Sequence, residues 1–422
     1  MTAPNLAARR LLSVLLVAVA MMTLAGYLLK DQCVGHYNER RDSHLCSNDI
    51  QVLYLVRDLA HHPFPYVHGK LVEQRGADGT VTPTLTGGTL EYPVLTGLFA
   101  WFTSLFVDDD GSYLRLSALF LAPFSFLTAW LLSRMVRWRA LLYALAPPLV
   151  WYSFHNWDLL VVCATVAAFH AWWRQRYVAA GVFLAVGASL KFWPVFFVLP
   201  LLLDRWTAKD RRGTADAALG FAWVFAIING FFLLASPQGW YAPYGFQKLR
   251  AADITSNSIW YWGFPDLTTD QLNVLIPVLL LIGTAVACGW GVRRAQREGV
   301  FPFVQVCGAL LVLFMVTNKA HSPQYALWLL PFFCLVRLRW GWFAAYMAID
   351  LLMYVGIFRW YYALGQPDIP DYGLAYQSLV LGIWGRAVML VLLFVVFLRS
   401  EPAFEVLPSE DDHARTLELS QR

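Results

Sequence analysis

Long apolar runs alternate along this chain with shorter polar segments, and the polar segments are of two kinds. One kind is basic: Arg9 and Arg10, then Arg134, Arg137 and Arg139, then Arg174 and Arg176, then Arg205, Lys209, Arg211 and Arg212. Arg293, Arg294 and Arg297 continue the series, and Arg337 and Arg339 end it. The other kind carries Asp, His, Asn, Tyr and Trp. A helix of about 20 apolar residues spans a bilayer, and Lys and Arg collect in cytoplasmic loops. The alternation therefore predicts an all-α polytopic membrane protein whose basic loops are cytoplasmic and whose polar loops lie outside.

The run from Leu11 to Leu29 follows Arg9 and Arg10 and crosses outward. It is longer than a typical signal-peptide core and lacks a convincing small-residue cleavage site, so it reads as a retained helix. Residues 30–91 then lie outside. The short run 92–107 ends at Asp108, Asp109 and Asp110. If it crossed, Arg134, Arg137 and Arg139 would fall outside, so it reads as a re-entrant or juxtamembrane helix. Crossings follow at 113–133, 140–154 and 159–173. Between Arg176 and Arg205 lie about 27 mostly apolar residues, more than one span needs. Two short helices hinged near Lys191 fit them, with Pro194 in the first turn of the second. Runs at 215–235, 272–290, 301–317, 325–336, 343–358 and 376–398 bring the total to about twelve crossings with both termini cytoplasmic. Residues 1–398 read as one integral-membrane domain, and 399–422 as a charged, disordered cytoplasmic tail. No internal repeat is visible.

Composition agrees with this picture. Of 422 residues, 58% are hydrophobic and 14% charged, too few polar groups to cover a soluble domain of this length. The 19 Trp residues include Trp172, Trp173, Trp340 and Trp342 near loop junctions, as interfacial belts require. The net charge of +4 comes from the cytoplasmic loops and gives no argument for nucleic acid. Cys163, Cys288, Cys307 and Cys334 lie in apolar runs as small core residues. Cys33 and Cys46 share the first outer loop, where their spacing and an oxidising compartment permit a disulfide, while a metal reading is weak because no second pair accompanies them.

Candidate chemistry gathers in the outer segments. Ser47-Asn48-Asp49-Ile50 opens an amphipathic stretch through Tyr54 and Arg57. Asp49 there suits either a helix cap or a general base facing a cavity. Gly87-Gly88-Thr89-Leu90-Glu91-Tyr92-Pro93 turns into a helix, with Glu91 near its positive end. A third segment runs from Ser236-Pro237-Gln238-Gly239-Trp240 through Arg250 and Asp253 to Ser258-Ile259-Trp260-Tyr261. Arg250, a cation among aromatics, suits a phosphate or simple snorkelling. The fourth is Asn318-Lys319-Ala320-His321-Ser322-Pro323-Gln324-Tyr325, where Lys319 and His321 precede a short helix whose N-terminus favours anions.

The order of these motifs resembles glycosyltransferase family 87: an acidic residue in the first outer loop, Glu-Tyr-Pro, Lys191-Phe192-Trp193-Pro194, Ser-Pro-Gln-Gly-Trp with Ser-Ile-Trp-Tyr, and Asn-Lys-Ala-His-Ser-Pro-Gln-Tyr. The resemblance covers nearly all of 11–398. It implies an actinobacterial GT-C enzyme of the polyprenol-phosphate-dependent mannosyltransferase or arabinofuranosyltransferase kind. Such an enzyme is a multi-helix bundle with an outer-face cavity in the cell membrane, serving glycolipid biosynthesis in the cell envelope. Asp49 matches the family's acidic base, with His321 as a second catalytic candidate. Lys191, Arg250 and His321 match polar positions that the family's donor phosphate could use, and Lys319 is a further candidate for binding that phosphate. Glu91, Tyr92, Asp158, Trp260 and Gln324 are candidates for the acceptor side of the cavity.

The expected reaction moves a sugar, mannose first, from a polyprenyl phosphate to a lipid-linked or glycan acceptor with inversion. Cations would stabilise the departing phosphate, so no metal or other cofactor is expected, and Asp108-Asp109-Asp110 reads as a solvated acidic run. The rival reading is a lipid or solute transporter, which Arg386 deep in the last apolar run fits best.

Overall fold

The computed structural model describes residues 3–75, 81–370 and 372–404. The first half comprises α1 (Ala3–Asp31), α2 (Tyr37–Arg40), α3 (Asp49–Val56), an antiparallel hairpin of β1 (Leu71–Arg75) and β2 (Val81–Leu85), α4 (Val94–Ser104), α5 (Asp110–Val136), α6 (Leu141–Ala144), α7 (Pro148–Tyr152), α8 (Asp158–Trp173) and α9 (Tyr177–Leu190). The second half comprises α10 (Val198–Thr207), α11 (Arg211–Ala235), α12 (Pro237–Leu249), α13 (Ile259–Gly263), α14 (Thr269–Glu298), α15 (Phe303–Thr317), α16 (Ala326–Leu335), α17 (Trp340–Leu364) and α18 (Leu374–Arg399).

Six stretches of these helices are long and apolar enough to cross a membrane: Arg9–Asp31, Asp110–Ala144, Arg211–Ala235, Thr269–Glu298, Trp340–Leu364 and Leu374–Arg399. Their outward surface suits lipid. Leu219, Trp223, Val274 and Leu281 on α11 and α14 are exposed, which water would penalise.

The other expected crossings fall on shorter helices. Residues 140–154, expected as one crossing, form two short helices because Pro147 and Pro148 interrupt the ladder. At 1.5 Å per residue, α8, α9, α15 and α16 fall short of a hydrocarbon core about 30 Å thick. Three of these, α8, α15 and α16, are buried on nearly every side. Their broken ends are tolerable because protein surrounds them, and irregular backbone at membrane depth survives only where it is buried or lines a cavity. The short α4 takes the place of the expected re-entrant helix.

Neighbouring helices approach closely through small residues. A side chain on Gly181 of α9 would run into the backbone of α11, and one on Gly382 of α18 into Met353 of α17. Basic side chains gather at one end of the bundle and cap helix C-termini there. Arg139 donates to the carbonyls of Phe333, Cys334 and Val336 at 2.9–3.1 Å, and Arg294 to that of Ser400 at 2.9 Å. Trp340 is exposed as an interfacial residue should be. Trp172, by contrast, is buried and donates its indole N–H to Asp204 at 2.7 Å. All four cysteines in apolar runs are buried and free. The tail from 405 onward lies outside the described residues.

Cys33 and Cys46 are joined in a disulfide, with their Cα atoms 6.3 Å apart. It closes the loop that leads into α3. Replacing both by Ser removes a constraint worth about 3 kcal/mol for a loop of this size. Amide exchange over residues 34–47 should accelerate about a hundredfold, read by mass spectrometry. Unchanged exchange would mean that other contacts alone hold the loop.

Candidate active site

The helix ends opposite the basic face surround a cavity of about 920 Å³, within the range of small-molecule sites. Its wall includes Asp49, Glu91, Tyr92, Lys191, Arg250 and Gln324.

Asp49 is placed there by a division of labour between neighbours. Asn48, not Asp49, caps α3: its side-chain oxygen accepts from the Gln51 N–H at 2.9 Å. The Tyr37 hydroxyl bonds both the N–H and the carbonyl of Asn48, at 2.9 and 2.8 Å. Lys30 donates to the Ser47 carbonyl at 2.9 Å. The Asp49 N–H donates to the His155 carbonyl at 2.7 Å. The backbone is thus fixed on both sides, and the carboxylate is left to face the cavity. Its Oδ2 accepts from Asn156 Nδ2 at 2.7 Å and from Gln324 Nε2 at 3.4 Å, while His155 Nε2 lies 3.9 Å from Oδ1. Burial raises the Asp49 pKa, against the opposing pull of the Asn156 hydrogen bond and the charges of Lys191, Arg250 and Lys30. A carboxylate so placed can take a proton from a hydroxyl.

Lys191 follows the last residue of α9 in extended backbone, where the helix stops ahead of the Trp193–Phe197 turn that holds Pro194. Gly187 leaves room for the Pro194 ring. The ammonium lies 3.6 Å from the Tyr92 ring centroid, donates to Asn156 Oδ1 at 3.0 Å, and pairs with Asp158 at 3.3 Å. Asn156 therefore bridges the two ends of the chemistry, its oxygen on Lys191 and its nitrogen on Asp49. It also donates to the Tyr92 hydroxyl at 2.5 Å.

Arg250, at the end of α12, donates to Thr255 at 3.1 Å and keeps part of its guanidinium open to the cavity. Glu91 faces the cavity with its carboxylate bound to Arg57, whose guanidinium also lies 5.5 Å from the Phe246 ring centroid.

Four expected cavity residues do not line it. His321 is buried behind the wall, where its Nε2 meets Arg386 at 2.7 Å and its ring stacks on Tyr325 at 5.3 Å. Burial and the Arg386 charge hold its pKa well below the ordinary value. Its ring packs on Tyr325, which does line the cavity. Lys319 points away and ties α12 to α14 through the Lys248 carbonyl at 2.9 Å and Asn273 at 2.7 Å. Burial, then the Arg250 charge, lower its pKa to about 8. Asp158 lies beneath Lys191 and accepts the Trp328 indole N–H at 2.7 Å. Trp260 is buried and donates to the Thr317 carbonyl at 2.7 Å. In each case a polar atom withdrawn from water found a structural partner first.

Arg386, the feature that most favoured a transporter, is likewise paired. Asp350 lies 3.5 Å from it and also accepts from Trp151 at 3.1 Å. The acidic run is used in capping: Asp109 caps α5, and Asp110 accepts from Gln51 at 2.7 Å. Among the described residues, no three His, Cys, Asp or Glu side chains come together as metal ligands. Asn156 and His155 were missed, although His155-Asn156-Trp157-Asp158 is a polar run inside apolar sequence, and such runs mark function by default.

Residues 90–317, more than half of the chain, match glycosyltransferase family 87. The chain belongs to glycosyltransferase family 87. No curated protein matches it. Membership makes this a membrane glycosyltransferase, and the matched segment includes Tyr92, Asn156, Lys191 and Arg250. Asp49 precedes the matched segment, so its role is argued from the cavity.

Proposed function

We propose that this glycosyltransferase moves a sugar, most simply mannose, from a polyprenyl-phosphate donor to a lipid-linked or glycan acceptor on the extracytoplasmic face of the cell membrane. The observation that carries this reading is the composition of the cavity wall: the Asp49 carboxylate, the Lys191 and Arg250 cations and aromatic surfaces face a single space, while Glu91 there is bound to Arg57. In the reaction the acceptor oxygen attacks the anomeric carbon as the carbon–oxygen bond to phosphate breaks. The bonding pair leaves with the phosphate, next to Lys191 and Arg250, and the acceptor proton passes to Asp49. A single displacement inverts the anomeric centre. The positive-inside bias supports the orientation, since the basic loops gather at the end away from the cavity. Against a transporter stand the family membership and the lack of a visible internal repeat in the sequence.

The test uses purified protein in vesicles with a polyprenyl-phosphate mannose donor and a membrane extract as acceptor. Transfer should occur with inversion and persist in EDTA, because the cations supply the charge stabilisation. Arg250→Gln should lower kcat/KM about tenfold, the worth of one hydrogen bond to a charged group. Hydrolysis and transfer only from nucleotide sugars would overturn the donor assignment, and transfer abolished by EDTA would overturn the metal-free chemistry.

A further inference from the structure

A second cavity, of about 630 Å³, lies between α5, α8 and α9, and the reaction makes no use of it. Its lining on α8 runs from residue 160 to residue 171 along one helix face, a length of about 16 Å. That matches half of a hydrocarbon core about 30 Å thick, one leaflet. The floor is shallow because Ala164, Ala167 and Ala171 are small and buried, while Leu127 and Phe183 form exposed apolar walls. One end closes at Leu190, whose carbonyl accepts from Thr96 at 2.6 Å, which separates this groove from Lys191.

The other end carries Arg134, Arg174 and Arg176, all exposed and all within electrostatic reach of His170. Among the described residues, no carboxylate pairs with any of the three. Three guanidinium groups without a carboxylate partner at the mouth of a leaflet-length apolar groove complement a lipid with an anionic phosphate headgroup, since the guanidinium fork matches phosphate geometry. We propose that the groove holds a phospholipid with an anionic headgroup, its chain against α8 and its phosphate among the three arginines. The donor's isoprenoid tail would not explain the arginines, because its own phosphate belongs at the opposite end of the bundle.

Native mass spectrometry of the full chain, exchanged into equal mixtures of phosphatidylglycerol and phosphatidylcholine, decides. The wild-type protein should retain phosphatidylglycerol preferentially. Arg134→Gln/Arg174→Gln/Arg176→Gln, at exposed positions that leave packing intact, should reduce that preference at least about tenfold. Ala167→Phe, which fills the floor, should reduce retention of both lipids. Undiminished preference in the triple variant would overturn the proposal, and so would undiminished retention in a folded Ala167→Phe protein. If Ala167→Phe does not fold, the arginine variants alone decide. A preference for neutral lipid, or retained isoprenoid in place of phospholipid, also overturns it.

Discussion

Asp49→Asn should reduce sugar transfer at least about a hundredfold while the protein inserts and folds normally. The substitution keeps shape and retains an oxygen that can accept from Asn156 Nδ2, the 2.7 Å bond that orients the carboxylate. It removes only basicity. The stability effect has a definite sign. Burial raises the Asp49 pKa, so at neutral pH the folded state carries the cost of an ionised, desolvated carboxylate that the unfolded chain does not. The unfolding midpoint of Asp49→Asn should therefore be equal to or higher than that of the wild-type protein at neutral pH, and that advantage should fade as pH falls through the raised pKa. The pH profile of kcat/KM should show an acid limb above the ordinary carboxylate range, because transfer needs the ionised form. Near-normal turnover in Asp49→Asn would remove Asp49 from the chemistry. A large drop in its midpoint would make the residue structural.

Lys191→Met should be worse, because it damages both stability and reaction. Asp158 lies fully buried beneath Lys191, and its remaining hydrogen-bond partner is the Trp328 indole. Breaking one half of a buried ion pair costs about 3–5 kcal/mol by leaving the other charge unpaired. The companion Lys191→Met/Asp158→Asn removes both charges and should restore most of the thermal midpoint. Transfer should stay about a hundredfold low in the double variant, since the cation next to the departing phosphate is still missing. Recovery of transfer together with stability would show that Lys191 serves the fold alone.

The two substitutions test different kinds of legibility. Asp49 and Lys191 stood out because an ionisable residue beside apolar sequence needs a partner or a purpose. Asn156 did not, because a neutral amide carries little charge signal and its role depends on two partners 107 and 35 residues away. His321 and Lys319, expected at the cavity, do not line it, for the converse reason. Their motif looked catalytic as a string, yet side-chain direction is set by packing. The loop turns His321 inward to Arg386 and Lys319 sideways to Asn273.

By itself the sequence determined that this is a helical membrane protein, with its basic loops on one side and its polar loops on the other. Hydropathy and charge act locally, and each run meets the bilayer on its own terms. It also placed the break at Lys191, since too many apolar residues lay between two basic clusters for one span. Only the tertiary structure decided which apolar runs remain half-length and enclosed by protein, that Cys33 pairs with Cys46, and which polar groups face the cavity. Those outcomes depend on partners far apart in the chain. A polar atom withdrawn from water must find such a partner, and the fold alone settles whether that partner is another side chain or an open cavity.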